Sequence, residues 1–421
     1  MGQWLEVRLI DLVDDLIMGQ SPDSSTYNNE NIGLPFIQGN ADIENGLPKI
    51  RQYTSDPRKV SIINDLLLSV RAPVGDLYKN NIGDIAIGRG LSAIRIKNQY
   101  LREFLFYYFS WDKKQFQKLE QGTTFTEIGK REVRRLKICV PRLPEEQKAI
   151  ATILSKVDEA IKANENSIKA AEKLKKSLMQ NLLTGKLKLD GTWRKKDEFY
   201  KDEKFGNVPL GWEVARVKDF GFIQTGKTPP TAEPEVFATG SEVKDSFMFI
   251  TPGDLGDCKY IESTERYVTA KGLSHSFKLP IHSVCLVCIG STIGKIGINM
   301  KEACTNQQIN TIIPNKYNSG EFFYYMMLFR STHFKEIAGI NATPQINKSG
   351  LSKYKLLRPT SLIEQTGIAR LLGESDNEIL KKESKIKALH RLKKSLMQNL
   401  LTGKVRVDLD KIKKLIADEA I

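Results

Sequence analysis

Two long segments of the chain carry apolar residues at spacings that alternate between three and four. They cover residues 144–184 and 362–402, and neither contains a proline after its first residue. Such heptad spacing predicts two long helices, each with one narrow apolar face. The apolar positions are Ile150, Leu154, Val157, Ile161, Ile168, Ala171, Leu174 and Leu178 in the first segment, and Ile368, Leu372, Ile379, Ile386, Leu389, Leu392 and Leu396 in the second.

The same segments indicate where these helices end and how they pack. Both patterns are interrupted at equivalent polar residues, Asn164 and Lys382, and both end before a glycine, Gly185 or Gly403, that can cap a helix. About 40 residues at about 1.5 Å each give rods of about 60 Å. Because one apolar face needs a partner, we expect the helices to pair antiparallel with a globular domain at each end. The alternative is that each helix packs on its own domain.

An internal repeat organises the chain. The sequence LKKSLMQNLLTGK occurs at 174–186 and again, unchanged, at 392–404. In the same register, FLFYYF faces FFYYMM upstream of the helices, and GQSP resembles GKTP near the start of each copy. Equivalent pairs in this register include Pro141 with Pro359, Gln147 with Gln365, and Asp158 with Asp376. A duplication of this extent predicts approximate two-fold symmetry within one chain.

The segments that precede the two helices have a different composition. They mix short β-branched and aromatic runs with Gly, Pro and Asn turns and one aromatic helix. We therefore predict an α+β fold, in which two mixed α/β domains are joined by two long helices that form an antiparallel coiled coil. The predicted boundaries are 1–143 for the first domain, 144–185 for the first helix, 186–205 for a linker, 206–361 for the second domain, 362–404 for the second helix and 405–421 for a C-terminal tail.

Charge and hydropathy narrow the class of protein. The 421 residues carry a net charge of +14, which suits a polyanionic partner such as nucleic acid; a basic but ordinary surface is the alternative. No apolar run approaches the roughly 20 residues that cross a bilayer. The start MGQWLEVRLIDL has neither a signal segment nor a myristoylation pattern. We expect a cytoplasmic protein.

Cysteine and histidine do not indicate a metal site. The cysteines are odd in number and scattered, which favours a reducing compartment over a disulfide framework. Cys285 and Cys288 have metal-ligand spacing, but they lie in the apolar run SVCLVCIG, so we expect buried core thiols. The four histidines form no close pair with a plausible partner ligand. We predict no metal and no cofactor.

The segment GFIQTGKT at 221–228 matches the pattern of a phosphate-binding loop. The equivalents of Gly221 and Lys227 in the first copy are Asp14 and Gln20, so the sister loop lacks two of the required residues. The prolines in the following PPTAEPEVF prevent the helix whose N-terminus would hold the phosphates. We therefore expect no nucleotide hydrolase site in this segment.

These features resemble the specificity subunit of type I restriction–modification systems. The resemblance rests on two variable domains that each precede a long helix ending in SLMQNLLTGK, on NVPLGWEV at the start of the second domain, and on EEQKAI and IEQTGI after the closing prolines. It covers essentially the whole chain. It implies that each globular part is a target recognition domain for double-stranded DNA. The two half-sites are then separated by a gap of unread base pairs, and the helices set the spacing of the domains.

The resemblance also implies which partners supply the chemistry. They are two methyltransferase subunits, bound through the helices, and nuclease/translocase subunits within the complex. The sequence contains no Asp-Pro-Pro-Tyr or Asn-Pro-Pro-Tyr segment, no S-adenosylmethionine loop and no acidic nuclease cluster. We therefore predict a non-catalytic DNA reader. The alternative is a coiled-coil scaffold or an RNA-binding adaptor, although FLFYYFSW and EFFYYMMLF are typical of buried helix faces.

Polar loops supply the side chains that contact base edges and phosphates. In the first domain the candidates are Thr26, Tyr27, Asn28, Gln38, Asn40, Arg71, Lys79, Asn80, Arg89, Thr123, Thr124, Thr126 and Lys130. In the second domain they are Lys227, Thr228, Thr251, Ser291, Thr292, Lys295, Gln307, Gln308, Asn310, Asn341, Thr343, Gln345 and Lys348. Lys130 and Lys348 are equivalent, which favours a shared contact with phosphate, whereas their differing neighbours suit two different half-sites.

Overall fold

A computed structural model describes residues 4–44, 46–119, 127–238, 246–256, 258–338 and 344–409. The chain divides into two compact units. Unit 1 takes Met1–Glu165 and Ser384–Ile421, and unit 2 takes Asn166–Glu383. Each unit therefore contains one globular domain, the first half of the long helix that follows it, and the second half of the other long helix.

The globular part of unit 1 consists of short strands and helices. Its strands are β1 (Trp4–Arg8), β2 (Asp15–Met18), β3 (Tyr27–Asn28), β4 (Leu34–Ile37), β5 (Ile43–Glu44), β6 (Leu47–Pro48), β7 (Gln52–Thr54), β8 (Val60–Ser61), β9 (Leu66–Ser69), β10 (Leu77–Lys79), β11 (Ile85–Ile87), β12 (Leu91–Arg95) and β13 (Lys137–Pro141). Its helices are α1 (Gln99–Trp111), α2 (Lys114–Gln117) and α3 (Lys130–Arg135). Two main sheets result, in the orders β10-β9-β12-β2 and β3-β7-β4-β11-β8.

The apolar runs of unit 1 explain where its core lies. Strands β9 and β11 are buried along their whole length, as is usual for strands covered on both faces. Helix α1 packs Phe104, Leu105 and Phe109 into the core cluster that contains Leu66 and Leu68 of β9, with none of their surface exposed. The prediction that FLFYYFSW forms a largely buried helix face is confirmed.

Unit 2 repeats the main features of this plan and has a further hairpin. The first long helix is α4 (Pro144–Leu182), whose second half belongs to unit 2. The strands are β14 (Phe199–Asp202), β15 (Gly206–Pro209), β16 (Trp212–Arg216), β17 (Gly221–Thr225), β18 (Phe237–Ala238), β19 (Phe247–Ile250), β20 (Tyr260–Ile261), β21 (Arg266–Val268), β22 (Val284–Val287), β23 (Ile296–Asn299), β24 (Ala303–Thr305), β25 (Ile309–Pro314) and β26 (Lys355–Pro359). The remaining helices are α5 (Val217–Phe220), α6 (Ala270–Ser274), α7 (Gly320–Phe329), α8 (Ser331–Ile337), α9 (Lys348–Lys353) and α10 (Leu362–Leu400).

The central strands of the two main sheets correspond between the units, whereas the edge strands differ. Unit 2 has sheets in the orders β17-β25-β22-β23-β20 and β18-β21-β19-β24, and the added hairpin is β14–β15. In both units a strand from the start of the domain pairs antiparallel with the strand that precedes the long helix. The register aligns Trp4 with Pro141 in unit 1 and Trp212 with Pro359 in unit 2. The internal repeat of the sequence is therefore a repeat of the fold.

The long helices end where the sequence predicts. α4 and α10 each contain 39 residues, or about 58 Å at about 1.5 Å per residue. Gly185 and Gly403 follow them with φ of 66° and 69°, the left-handed conformation of a C-terminal cap. Within the described residues, no helix is long and apolar enough to cross a membrane.

The two helices run antiparallel within each unit. In unit 1, Asp158 of α4 contacts Lys393 of α10, while Glu146, near the start of α4, pairs with Arg406 beyond the end of α10; both distances are 2.6 Å. In unit 2, Asp376 of α10 likewise pairs with Lys175 of α4. Apolar residues from the last turns of α10 join Ile150 and Leu154 of α4 in the core of unit 1. The predicted antiparallel pairing is confirmed, and the first half of each helix also packs on its own domain.

One detail of the predicted apolar seam is wrong. The heptad pattern places Leu174 and Leu392 on the buried face, but they are 59% and 48% exposed. The next residues, Lys175 and Lys393, point inward instead and reach Asp376 and Asp158. A residue three or four positions after the last inward one can lie on the same helix face. In both helices the inward residue is the one four positions on, the lysine that forms the ion pair.

Candidate nucleic-acid interface

In unit 1, backbone hydrogen bonds bring five loops together at the ends of the strands. We call residues 19–20, 38–42, 70–73, 88–90 and 127–130 loop cluster 1. Five backbone hydrogen bonds of 2.9–3.0 Å connect these loops. The donors are the amides of Gly19, Gln20, Gly88, Val70 and Ile128, and the acceptors are, respectively, the carbonyls of Leu91, Ile87, Ile37, Gly90 and Val70. Backbone bonds between loops fix the positions from which side chains extend.

The same framework occurs in unit 2. We call residues 226–228, 251–254, 288–292, 305–308 and 344–348 loop cluster 2. Five backbone hydrogen bonds of 2.8–3.2 Å connect these loops. The donors are the amides of Gly226, Lys227, Asn306, Cys288 and Ile346, and the acceptors are, respectively, the carbonyls of Ile309, Thr305, Ile250, Gln308 and Cys288. Each bond has an equivalent in loop cluster 1. The side chains at equivalent positions differ. Unit 2 has Thr251, Ile289 and Gln307 where unit 1 has Gln38, Arg71 and Arg89, respectively.

In each loop cluster, a glycine makes the hydrogen bond to Leu91 or Ile309 possible. A Cβ atom on Gly19 would overlap the carbonyl oxygen of Gly88, and one on Gly226 would overlap that of Asn306. The chain must pass this close for the amides of Gly19 and Gly226 to reach their acceptors. The GQSP and GKTP motifs are therefore structural features shared by both units.

Four of the predicted DNA-binding residues in loop cluster 1 line one cavity. Gln38, Asn40, Arg71 and Arg89 line a cavity of about 460 Å³. Arg71 pairs with Glu127 at 3.1 Å, and both side chains are about half exposed. The Asn40 amide nitrogen donates to the carbonyl of Pro73 at 3.0 Å, while its buried Oδ1 has no partner among the described atoms. This opening presents amide and guanidinium groups, which are the donors that read base edges in a DNA groove.

Loop cluster 2 gathers a different set of predicted residues. Thr228 donates a hydrogen bond of 2.6 Å to the side chain of Gln307. Lys227 is exposed beside them, and Gln345 joins the framework through a bridge to Ile289. The remaining predicted residues that this cluster holds are Thr251, Ser291, Thr292, Gln308 and Lys348. Lys295 lies just beyond it, with its side chain against Gly256.

Lys130 and Lys348 occupy equivalent places. Each is the first residue of a six-residue helix, α3 or α9, and each is exposed. The Nζ atom of Lys348 lies 5.3 Å from the centre of the Phe222 ring. Phe222, which is not among the predicted contacts, is 63% exposed. It shares its face of β17 with the polar Gln224, and this sharing is the sequence signal for an outward aromatic residue beside the loops.

Several predicted residues are engaged elsewhere in their own units. Thr26, Tyr27 and Asn28 use their side chains to hold the turn around β3. Lys79 forms an ion pair with Glu103 and lies over the Phe106 ring. Asn80 is 1% exposed and donates to Ser61, Ile62 and Gly83, and Asn310 is 4% exposed and accepts from Thr225. The described geometry therefore disfavours a DNA contact by Asn80 or Asn310, because burial removes their amides from the surface.

Five predicted residues lie outside the described part of the chain: Thr123, Thr124, Thr126, Asn341 and Thr343. They belong to the two equivalent segments that precede α3 and α9. The described residues on the C-terminal side of these segments are part of the loop clusters.

The cysteine pair belongs to the core. Cys285 and Cys288 are buried in two different apolar clusters of unit 2, as expected for residues three apart in a strand. Burial raises the pKa of Cys285 to about 12 and that of Cys288 to about 11, so both remain thiols at neutral pH. Within the described ranges, no group of three or more His, Cys, Asp or Glu side chains could hold a metal ion.

The segment that resembles a phosphate loop has another structure. Residues Gly221–Thr225 form β17, and the amides of Gly226 and Lys227 donate to the carbonyls of Ile309 and Thr305. An extended loop follows as far as the short helical turn at Pro234–Val236. These amides hold loop cluster 2 together, so they are not free to cradle a nucleotide phosphate.

Comparison with known proteins agrees with this description. A family model described as the type I restriction modification DNA specificity domain matches residues 1–173 and 209–390. A provisionally named specificity subunit, that of type I restriction enzyme MjaX of Methanocaldococcus jannaschii, is 44% identical over 177 residues, which are 41% of this chain and 41% of that protein. The specificity subunit of type I restriction enzyme MjaVIII of the same organism is 28% identical over 348 residues, which are 78% of this chain and 77% of that protein. The alignment with MjaX thus spans less than half of that relative.

A solved structure has the same fold. The S subunit of a type I restriction–modification system from M. genitalium aligns with a TM-score of 0.59 and 16% identity, covering 94% of this chain and 96% of that one. At this identity the likeness concerns the fold alone. The family model, however, matches well over half of the sequence, in two segments that correspond to the two copies of the repeat. This chain belongs to the family of type I restriction–modification specificity subunits.

Proposed function

We propose that this chain is the non-catalytic DNA reader of a type I restriction–modification complex. The observation that carries the proposal is the pair of loop clusters, in which matched backbone bonds build one framework twice while the side chains differ. A repeated framework suits a duplex that is contacted at two places. Different side chains suit two different half-sites, because phosphate contacts position a protein and base contacts specify the sequence.

The two clusters offer different chemistry to the bases. In loop cluster 1, the guanidinium groups of Arg71 and Arg89 suit the acceptors of guanine, and the amide of Gln38 suits adenine. In loop cluster 2, Thr228 and Gln307 present a hydroxyl and an amide. We assign 1–143 and 206–361 as the two target recognition domains.

Lysines at equivalent positions support a shared phosphate contact. Lys130 and Lys348 are exposed at the starts of α3 and α9, and Lys227 is exposed in loop cluster 2. The net charge of +14 is consistent with a polyanionic partner. The RNA-binding adaptor is not favoured, because most aromatic residues of α1 and α7 are buried and are not available for stacking on unpaired bases.

The methyltransferase subunits dock on the helices in this proposal. Leu174 and Leu392 are exposed at equivalent positions of the identical segment LKKSLMQNLLTGK. Two identical sites on one chain fit two copies of one partner. The nuclease/translocase subunits join through the complex so formed.

The test uses the full chain with and without a methyltransferase subunit. Alone, the chain should bind duplex DNA weakly and transfer no methyl group from S-adenosylmethionine. If it contacts about six to ten phosphates, affinity should fall by about 10³ to 10⁵ between about 50 and 200 mM salt. Addition of the methyltransferase should produce methylation at one bipartite motif. Methyl transfer by the chain alone, or methylation that ignores sequence, would contradict the proposal.

A further inference from the structure

Unit 2 contains a cavity that lies apart from the framework bonds of loop cluster 2. Its volume is about 990 Å³, at the upper end of the range for sites that bind small molecules. One wall comes from the segment after α4, including Trp193 and Phe205, and the other from α7, α9 and β26. The sequence predicts that 186–205 is a linker. In the structure this segment also forms part of a cavity wall.

The walls combine aromatic rings with positive charge. Trp193 and Phe205 line the cavity together with Lys204, Arg330 and Lys355, and its charged lining side chains are all lysine or arginine. Trp193 is 62% exposed, so one face of its indole ring is accessible. Such walls suit a ligand with a planar ring and a negative charge, since rings stack on aromatic faces and guanidinium and ammonium groups bind anions.

Arg330 and Tyr354 bring two buried polar groups next to each other at this cavity. The Nε atom of Arg330 and the hydroxyl of Tyr354 are buried without a well-aligned hydrogen bond to the described side chains, although the Arg330 guanidinium lies close to the Tyr354 oxygen. Burial raises the pKa of Tyr354, and the hydrogen-bonding contact and positive charge of Arg330 oppose this shift without reversing it. The hydroxyl therefore stays protonated and can donate to an acceptor. Buried polar groups are nearly always paired in folded proteins, and a bound anion would pair both of these.

The equivalent positions of unit 1 have lost this chemistry. The register of the repeat places Asp112 and Leu136 where unit 2 has Arg330 and Tyr354. A carboxylate repels an anion, and leucine offers no donor. Each unit has its own loop cluster and its own exposed leucine. The pair formed by Arg330 and Tyr354, by contrast, occurs in unit 2 only. It is therefore not part of the plan that the two units share.

We propose that this cavity binds a mononucleotide-like organic anion, with the planar ring against Trp193 and Phe205 and the phosphate on Arg330, Tyr354 and Lys355. The proposal does not rest on the DNA-reading function. A chain that fails to read DNA could still bind the anion, and the reverse also holds.

The experiment titrates the full chain with AMP and UMP, by calorimetry and by the quenching of tryptophan fluorescence. Adenosine and inorganic phosphate serve as probes of the ring and the anion alone. Both nucleotides should bind at concentrations below about 1 mM, and more tightly than adenosine or phosphate, because only they engage both walls. Absence of binding by both nucleotides, or equal binding of either fragment, would overturn the proposal.

Matched variants locate the site. Lys355→Gln should weaken AMP binding by about tenfold, since it removes one charge-assisted contact. Lys137→Gln, at the equivalent exposed position of unit 1, should leave AMP affinity unchanged. Tyr354→Phe should weaken binding by about threefold or more while retaining the ring in the core. Trp193→Leu should abolish most of the quenching. Equal effects of Lys355→Gln and Lys137→Gln, or unchanged binding in Tyr354→Phe, would show that AMP binds elsewhere.

Discussion

The hydroxyl of Tyr107 donates a hydrogen bond of 2.9 Å to Oδ2 of Asp158. Lys393 approaches the other oxygen of the same carboxylate at 2.6 Å. Burial, together with the charge of Asp158, raises the pKa of Tyr107, so the phenol remains a donor at working pH. This Tyr–Asp–Lys bridge connects α1, the first half of α4 and the second half of α10 within unit 1.

Unit 2 contains the same bridge at equivalent residues. Tyr325 donates to Asp376 over 2.6 Å, and Lys175 pairs with the other carboxylate oxygen. In each unit the lysine comes from the segment LKKSLMQNLLTGK, which the sequence repeats without change. The presence of this lysine in both copies thus has a structural reason, because it completes the bridge in each unit.

The bridge should contribute to the stability of each unit. Tyr107→Phe or Tyr325→Phe should reduce the free energy of unfolding of its unit by about 1–2 kcal/mol, because a buried hydrogen bond to a charged group is lost. Urea denaturation measures the effect, with each variant shifting the transition of one unit if the two unfold separately. Tyr317→Phe is the control, since Tyr317 is 67% exposed. A loss no larger than in this control would mean that the bridge adds no stability.

Much of this architecture follows from the sequence, because it depends on local pattern. Heptad spacing and the capping glycines predict both helices and their ends, and the unchanged repeat predicts that one plan occurs twice. The exposure of Leu174 could not be predicted, since spacings of three and four both fit a helix face and the choice coincides with an ion pair to a distant residue. Asn80 illustrates the same limit at the site: loop polarity suggests exposure, whereas long-range packing buries the side chain.

Salt dependence distinguishes phosphate contacts from base contacts. Lys130→Ala and Lys348→Ala should each weaken binding to all duplexes alike and lower the slope of log affinity against log salt by about one unit. Lys169→Ala, an exposed residue of α4, is the control and should leave the slope unchanged. A change in the preferred sequence at constant slope would instead show that Lys130 or Lys348 reads a base.

The exposed leucines test the docking of partners. Leu174→Glu and Leu392→Glu should each remove one of two methyltransferase subunits from the complex, because a charge in an apolar contact is costly. Native mass spectrometry counts the subunits, and circular dichroism checks that the helices remain folded. Lys173→Glu, at the exposed neighbouring position, is the control for charge alone. Full occupancy by two subunits in the double leucine variant would place the docking surface elsewhere.

A pair of insertions tests whether the helices set the gap between half-sites. One heptad between Glu165 and Asn166, and another between Glu383 and Ser384, falls at the boundary of the two units and leaves the contacts within each intact. Seven residues add about 10 Å, or about three base pairs of duplex. The half-sites should stay the same while the gap grows by that amount, provided that DNA or protein absorbs a rotation of about 100°. An active variant that methylates the original motif with its original gap would show that the helices do not set the spacing.

Modified-base sequencing of cells that carry this chain and its methyltransferase tests the central claim most directly. Two variants are compared with the unaltered chain: Arg71→Ala with Arg89→Ala in loop cluster 1, and Thr228→Ala with Gln307→Ala in loop cluster 2. Loss of a base contact of this kind costs about 1–3 kcal/mol of discrimination. The first variant should relax one half-site and the second the other, each leaving the opposite half-site and the gap unchanged. If either variant altered both half-sites, or if both altered the same one, the account of two independent readers would be contradicted.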